Sequence, residues 1–240
     1  MTLLLIDAGN SRIKWALVVG QQWLHQGIVD NVQAVALHKT FSALPPPQKI
    51  IASCVAGQHL AQQLRTACAM WPVPVEFISA ENEQCGVRNN YQHPAQLGSD
   101  RWAALIAARH LHRTACLVVN CGTATTVDAL SAAGEFLGGL ILPGLDMMRR
   151  SLAEYTAQLA EAKGEWRAFP CNTADAIASG TIQATAGAIH LQFAALASPG
   201  EARCILSGGA ADLIQPHLNI PLVREDCLVL RGLQLIGTKG

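Results

Sequence analysis

Short apolar runs alternate with helix-periodic stretches along the 240 residues of this chain. Residues 3–6 form an unbroken apolar run that stops at Asp7-Ala8-Gly9-Asn10-Ser11, after which Ile13, Trp15 and Leu17 alternate with other residues. That pattern predicts a hairpin with a small, polar tip. Residues 49–55 and 73–78 read as further strands around a helix over 57–70, and the prolines at 45–47 read as a stiff connector ending one element before the next strand. From Asp100 the period becomes helical, with Trp102, Leu105, Ile106 and Leu111 sharing most of one face. Residues 116–119 predict a strand, and the glycine-bracketed apolar segment 138–144 another. Leu145, Met148, Leu152, Tyr155 and Leu159 then recur at helical spacing, predicting a helix closed by Gly164. Residues 174–197 read as a long small-residue helix, open to bending at Gly180 or Gly187, and residues 203–206 as a strand breaking into Ser207-Gly208-Gly209. Strands alternating with helices in both halves predict an α/β fold.

The beginning of the chain has an echo. Moving it by 113 positions sets Asp7 on Asn120, Gly9 on Gly122, Asn10 on Thr123, Ala16 on Ala129 and Leu17 on Leu130, with the preceding strands in register. Self-similarity of this kind predicts a duplication with a boundary near residues 110–116. Two lobes follow as the expectation, 1–113 and 114–240.

Composition narrows the range of functions. Seventeen basic and seventeen acidic side chains cancel, and no block of lysine or arginine stands out, which argues against general nucleic-acid binding or attachment to a membrane surface. A small-molecule ligand fits better. With half its residues apolar and only 14% charged, the chain is not of the disordered class, and either a large share of each lobe is buried or part of the surface lies against another subunit, as in a homo-oligomer. The first residues carry no positive cluster, and no apolar run reaches the roughly 18 residues of a membrane span, so a cytoplasmic location is expected. Eight cysteines include no C-x-x-C pair and read as small buried hydrophobes in a reducing compartment; eight histidines show no metal-ligand spacing.

Candidate chemistry collects at the polar tips. Asp7-Ala8-Gly9-Asn10-Ser11 could cradle a phosphate with backbone N–H groups while Asp7 holds Mg²⁺ by a hard oxygen, although the same residues also make an ordinary hairpin turn. Gly122-Thr123-Ala124-Thr125-Thr126 offers a second small, hydroxyl-rich turn, and two such cradles suit a polyphosphate. Neither a Walker loop nor a G-x-G-x-x-G fingerprint is present. Ser207-Gly208-Gly209-Ala210 could lay bare backbone against an adenine ring, or serve only as a tight turn. Gly98-Ser99-Asp100-Arg101 puts a carboxylate and a guanidinium at a predicted helix start. Either it caps the helix, or Asp100 takes a proton from a substrate hydroxyl while Arg101 pairs with a carboxylate or phosphate oxygen.

The ordered set Asp7 to Ser11, Tyr91, Gly98 to Arg101, Gly122 to Thr126, Gly138-Gly139 to Pro143-Gly144, Asn172-Thr173 and Gly208-Gly209 resembles the type III pantothenate kinases of the actin, sugar kinase and Hsp70 ATPase superfamily. The resemblance runs from about residue 3 to 210. It implies an α/β fold of two ribonuclease-H-like lobes, an actin-like ATPase duplication with a cleft between them. It also implies transfer of the ATP γ-phosphate to the primary hydroxyl of pantothenate, the first step toward coenzyme A. In the family pattern Asp7, Ala8, Gly9, Asn10, Ser11, Arg12, Ile13 and Lys14 form the first phosphate loop with its Mg²⁺. Thr123 makes the second phosphate contact, and Gly208 and Gly209 meet the adenosine. Asp100 matches the general base, Gly98, Ser99, Asp100 and Arg101 the pantothenate-binding run, and Tyr91 and Thr173 the other substrate contacts. Members resemble one another in being homodimers with the pantothenate pocket at the subunit interface. The chain departs from the pattern at Asn120, where many members carry an aspartate that holds an activating monovalent cation. Weaker use of K⁺ or NH₄⁺ is the expectation. The competing readings are a non-catalytic accessory factor for a transcription regulator and another phosphotransferase of the superfamily.

Overall fold

The computed structural model describes residues 1–157, 159, 163–196 and 201–239, which gather into two compact units. In the first, β1 (Thr2–Ala8) and β2 (Arg12–Val19) make the expected hairpin, and β3 (Gln22–Asp30) extends it. Next come α1 (Leu37–Ser42), β4 (Lys49–Cys54), α2 (Gln58–Cys68) and β5 (Val75–Phe77). The sheet order is β3-β2-β1-β4-β5, with β4 and β5 parallel to β1. A small hairpin of β6 (Glu83–Gln84) and β7 (Val87–Asn89) precedes α3 (Ser99–Leu111).

The second unit repeats this plan. It contains β8 (Cys116–Cys121), β9 (Ala124–Leu130), β10 (Glu135–Pro143), α4 (Leu145–Tyr155), α5 (Thr173–Ala194), β11 (Arg203–Ser207), α6 (Ala211–Ile214) and β12 (Leu222–Arg224). These strands run β10-β9-β8-β11-β12, again with two successive antiparallel pairings on one side of the first strand and two parallel pairings on the other. Five strands in the same order in each unit are the architecture expected of the ribonuclease-H-like duplication.

The register of the echo needs one correction. β1 and β8 correspond at 113 positions, but Leu4 faces Leu17 whereas Leu117 faces Ala129, so the following strands correspond at 112. The first turn closes with Gly9 N–H donating to the Arg12 carbonyl, the second with Gly122 N–H donating to that of Ala124, one residue sooner. Ala16 and Leu17 are therefore equivalent to Asp128 and Ala129.

One face of the first sheet, carrying Leu4, Ile6, Ile13, Trp15 and Leu17, packs on Leu37 and Phe41 of α1 and Leu60 and Leu64 of α2. On the other face lie Leu3, Leu5, Asp7, Ile51 and Ser53, since alternate strand residues point to opposite sides. That side is met by α3 and by a last helix, α7 (Leu228–Lys239). Gly232 of α7 sits so tightly on the Ala103 carbonyl of α3 that no Cβ fits between them. Residues Cys227–Gly240 accordingly belong with Met1–Leu111, and the second unit is His112–Asp226. The division into 1–113 and 114–240 missed this return, because α7 lies far along the chain from the helix it packs against.

Other boundaries shift as well. α4 stops at Tyr155 instead of running to Gly164, and α5 passes unbroken through Gly180 and Gly187 to Ala194. The expected end at Ala197 lies outside the described residues.

Candidate functional site

In the first unit, the turn after β1 is held from behind. Asn31 donates its backbone N–H to the Ser11 carbonyl (3.0 Å) and its Nδ2 to that of Gly9 (2.8 Å), fixing the shape of the loop. Asn10, Ser11 and Arg12 are exposed and Ile13 is buried. Arg12 makes an ion pair with Asp30 at 3.6 Å, on the solvent side of both residues. Asp7 ends the apolar run; the residue is half-buried, and protein surrounds its carboxyl on nearly every side. Burial pushes its pKa up to about 7; Lys14, paired opposite it on β2, pulls the value down, and the Asp100 charge pushes it further up.

Asp100 arrives there on the first turn of α3. That helix starts because the Gly98 carbonyl accepts the Trp102 N–H (2.9 Å), and Asp100 Oδ1 accepts the Arg101 N–H (2.8 Å). Trp102 is fully buried and donates its indole N–H to Gln84 Oε1 (3.0 Å), tying the β6–β7 hairpin to the helix. Arg101 is also buried, and its Nη1 donates to the Tyr91 hydroxyl at 3.2 Å. Tyr91 in turn is set by Asn89, whose Oδ1 accepts the Tyr91 N–H (3.1 Å) while its Nδ2 donates to the Pro94 carbonyl (3.2 Å). The first unit thus brings Asp7, Lys14, Gly98, Ser99, Asp100, Arg101 and Tyr91 to one end of its sheet.

The second unit gathers another group. Gly144 N–H donates to the Thr123 carbonyl (3.0 Å) and Ala210 N–H to that of Cys121 (3.0 Å), so the turn after β8 is braced from two sides. Gly208 has φ +97°, and a Cβ there would collide with the Cys121 carbonyl and stand 2.6 Å from Asn120 Oδ1. Only glycine allows this approach. Arg224 reaches the Gly208 carbonyl at 3.4 Å and pairs with Asp212 and Asp226, each at 3.4 Å. Thr123 and Gly209 remain exposed beside this junction.

Thr173 is placed apart from it. It opens α5 on the rim of a cavity of about 820 Å³ between α4 and α5, lined by Met148, Leu152, Leu159, Ile177 and Thr181 among others. None of the residues around Asn120 or Gly208 lines this cavity. Asn172 caps α5 by accepting the Asp175 N–H (2.9 Å). Hydrogen bonds from the Glu165 N–H and from Asn172 Nδ2 hold the Asp175 carboxyl below its ordinary pKa.

Among the described residues no cluster of three or more His, Cys, Asp or Glu could hold a metal ion. A divalent cation at Asp7 would therefore rest on that carboxylate, waters and ligand oxygens, as Mg²⁺ commonly does. The fit is good, because a buried carboxylate with a raised pKa is short of positive charge. Asn120 offers one amide oxygen and no charge.

Sequence reasoning missed Ser53, which is fully buried and shares a 2.8 Å hydrogen bond with Ser99. Asn31, Asn89 and Arg224 were missed too. No signal in the sequence marked Ser53, a single small polar residue in an apolar strand whose partner lies 46 positions away.

The family model of type III pantothenate kinase matches residues 3–195. A relative from Aromatoleum aromaticum named type III pantothenate kinase is 50% identical over 234 residues, covering 98% of this chain and 97% of its own. Another of that name, from Nitrosospira multiformis, is 48% identical over 236 residues, covering 98% and 90%. Among solved structures, a Campylobacter jejuni protein assigned to the Baf family of transcriptional activators superposes with TM-score 0.64 at 24% identity, covering 98% of each chain. The ethanolamine utilization protein EutJ from Carboxydothermus hydrogenoformans gives 0.60 at 12% identity, covering 99% of this chain and 90% of its own. At those identities the structures speak for the fold alone.

Proposed function

The chain belongs to the type III pantothenate kinase family, and from that premise we propose which of its residues carry each part of the reaction. The enzyme transfers the γ-phosphate of ATP to the primary hydroxyl of pantothenate, giving 4'-phosphopantothenate for coenzyme A biosynthesis. Asp100 accepts the hydroxyl proton as the oxygen bonds to the γ-phosphorus and the bond to the β-γ bridging oxygen breaks, releasing ADP. Because phosphoryl transfer passes through a loose transition state, placing Asp100 matters more than making it strongly basic. The observation that carries this assignment is the meeting of Asp100 and Asp7 at one end of the first sheet, with the buried Arg101 and Tyr91 alongside.

Asp7 holds Mg²⁺, which supplies positive charge at the phosphate oxygens. Residues 8–14 position the phosphates from the first turn, with Lys14 beside Asp7. Thr123 contacts the phosphate tail from the second turn, and Gly208 and Gly209 offer flat backbone to the adenosine. Arg101 receives the pantothenate carboxylate, a buried guanidinium being suited to bidentate pairing, while Gly98, Ser99, Tyr91 and Thr173 complete the substrate contacts. Asn120 replaces the charge that would attract a monovalent cation, so activation by K⁺ or NH₄⁺ is weak. The chain works in the cytoplasm as a homodimer with the pantothenate pocket at the interface. Supporting this, Phe169 and Tyr155, next in sequence or one turn on from cavity-lining residues, are 92% and 80% exposed, an arrangement a partner subunit would relieve. The accessory-factor reading is not favoured, since the near-full-length relatives carry the kinase name.

An ATP-coupled assay with pantothenate against a panel of sugars and acetate, with K⁺ varied, tests the reading. Turnover with pantothenate alone and a shallow K⁺ response is the expected result. Turnover only on a sugar would remove the acceptor, and equally steep K⁺ activation of wild type and Asn120→Ala would remove the role given to Asn120.

A further inference from the structure

Asp7 and Ser53 are register partners in the parallel pair β1–β4, so their side chains leave the sheet on the same side, toward α3. Ser53 Oγ lies 2.8 Å from Ser99 Oγ, and Ser99 directly precedes Asp100. Both hydroxyls are buried, at 0% and 9% exposure. The residues that follow on α3 include Ala103, Ala104, Ala107 and Ala108, all buried. Trp102, Leu105 and Ile106 are buried with them, but attraction between apolar surfaces is not directional. It fixes poorly where along the sheet the helix begins. The hydrogen bonds of Trp102 to Gln84 and of Arg101 to Tyr91 tie α3 to the β6–β7 hairpin and the segment after it, not to β4. The two carboxylates it must bring together, Asp7 and Asp100, repel each other when both are ionised.

We propose that Ser53 and Ser99 are a positioning pair whose buried hydrogen bond locks the first turn of α3 onto β4 and so holds Asp100 at the Asp7 end of the sheet. Neither serine touches the reacting atoms in this role. A directional bond between two interior groups sets one arrangement where apolar packing would accept several.

The inference rests on Asp100 being the base, and the test separates the two. Ser53→Ala or Ser99→Ala alone strands a buried hydroxyl, so each lowers the unfolding midpoint; the double variant removes both hydroxyls and regains most of that loss. Turnover behaves differently. All three variants are expected to lose about tenfold in kcat with the KM for ATP unchanged, because a misplacement well under an ångström already costs that much. A double variant with recovered stability and wild-type kcat would overturn the proposal. Should the alanine variants fold poorly, Ser53→Thr and Ser53→Val, equal in shape, different only in the hydroxyl and outside the substrate contacts, give the same readout. Thr is expected to exceed Val about tenfold in kcat, and equal values would overturn the proposal. Asp100→Asn is run alongside. If it keeps full activity, the base assignment fails; if it loses activity while the serine double variant keeps it, the positioning inference alone fails.

Discussion

The Asp7 carboxyl has a pKa raised from 3.8 to about 7, so between those values the folded protein keeps a proton that the unfolded chain has released. Stability from this residue is therefore present below pH ~4 and lost as pH rises through ~7. Without nucleotide or metal, Asp7→Asn is expected to raise the unfolding temperature by a few degrees more at pH 8 than at pH 5. Equal gains at both pH values would show that the carboxyl is not perturbed by burial. Gly208 gives a second expectation at this scale. Its positive φ and its contact with the Cys121 carbonyl leave no place for a methyl group, so Gly208→Ala should cost about 1–3 kcal/mol in thermal or denaturant unfolding and raise the KM for ATP. Wild-type values for both would mean that the turn can relax. Asp7, Asp100 and Arg101 are legible in the sequence because they interrupt apolar patterns at the ends of elements. Ser53 is not, because one small polar residue in Ile50-Ile51-Ala52-Ser53-Cys54 leaves the strand pattern intact, and its partner lies 46 positions away.

α5 shows how an element presents a residue. Its start is held by the Asn172–Asp175 pair, and Asp175 and Ser179 accept the N–H groups of Glu165 and Arg167, so the strap before the helix lies along it. Thr173, the first residue of the helix, is set by this cap. Asn172→Ala is expected to cost about 1 kcal/mol in unfolding experiments and to raise the KM for pantothenate more than it lowers kcat. A change in kcat alone would detach Thr173 from substrate binding. Apolar runs such as β1, alternation such as β2, and helix-period or small-residue stretches such as α3 and α5 can be read from the sequence. β3 cannot: Gln22–Asp30 is an edge strand of mostly exposed residues with no steady alternation. The two-residue pairing of β6 with β7 is too short to leave a period. α4 ends at Tyr155 although its apolar spacing continues to Leu159, a residue that lines the cavity.

Across the whole molecule, one short echo between Asp7 and Asn120 pointed to a duplication, and the five-strand order that the two units share came only from the structure. The one-residue difference between the turns was hidden, because Ala16 and Leu17 match Ala129 and Leu130 by residue type while the pairing sets them against Asp128 and Ala129. The C-terminal helix was hidden for another reason, since periodicity within a segment says nothing of which distant segment it packs on. What the duplicated plan supplies is a pair of polar turns on strand ends, one with a buried carboxylate and a second carboxylate beside it, the other with two braced glycine contacts. The central claim is that Asp100 takes the acceptor proton while other groups bind the nucleotide. Single-turnover phosphorylation of pantothenate by Asp100→Asn, with ATP affinity measured on the same sample, tests it most directly. The rate should fall by about 10²–10⁴ while ATP binds as to wild type; an unchanged rate with intact binding would contradict the claim.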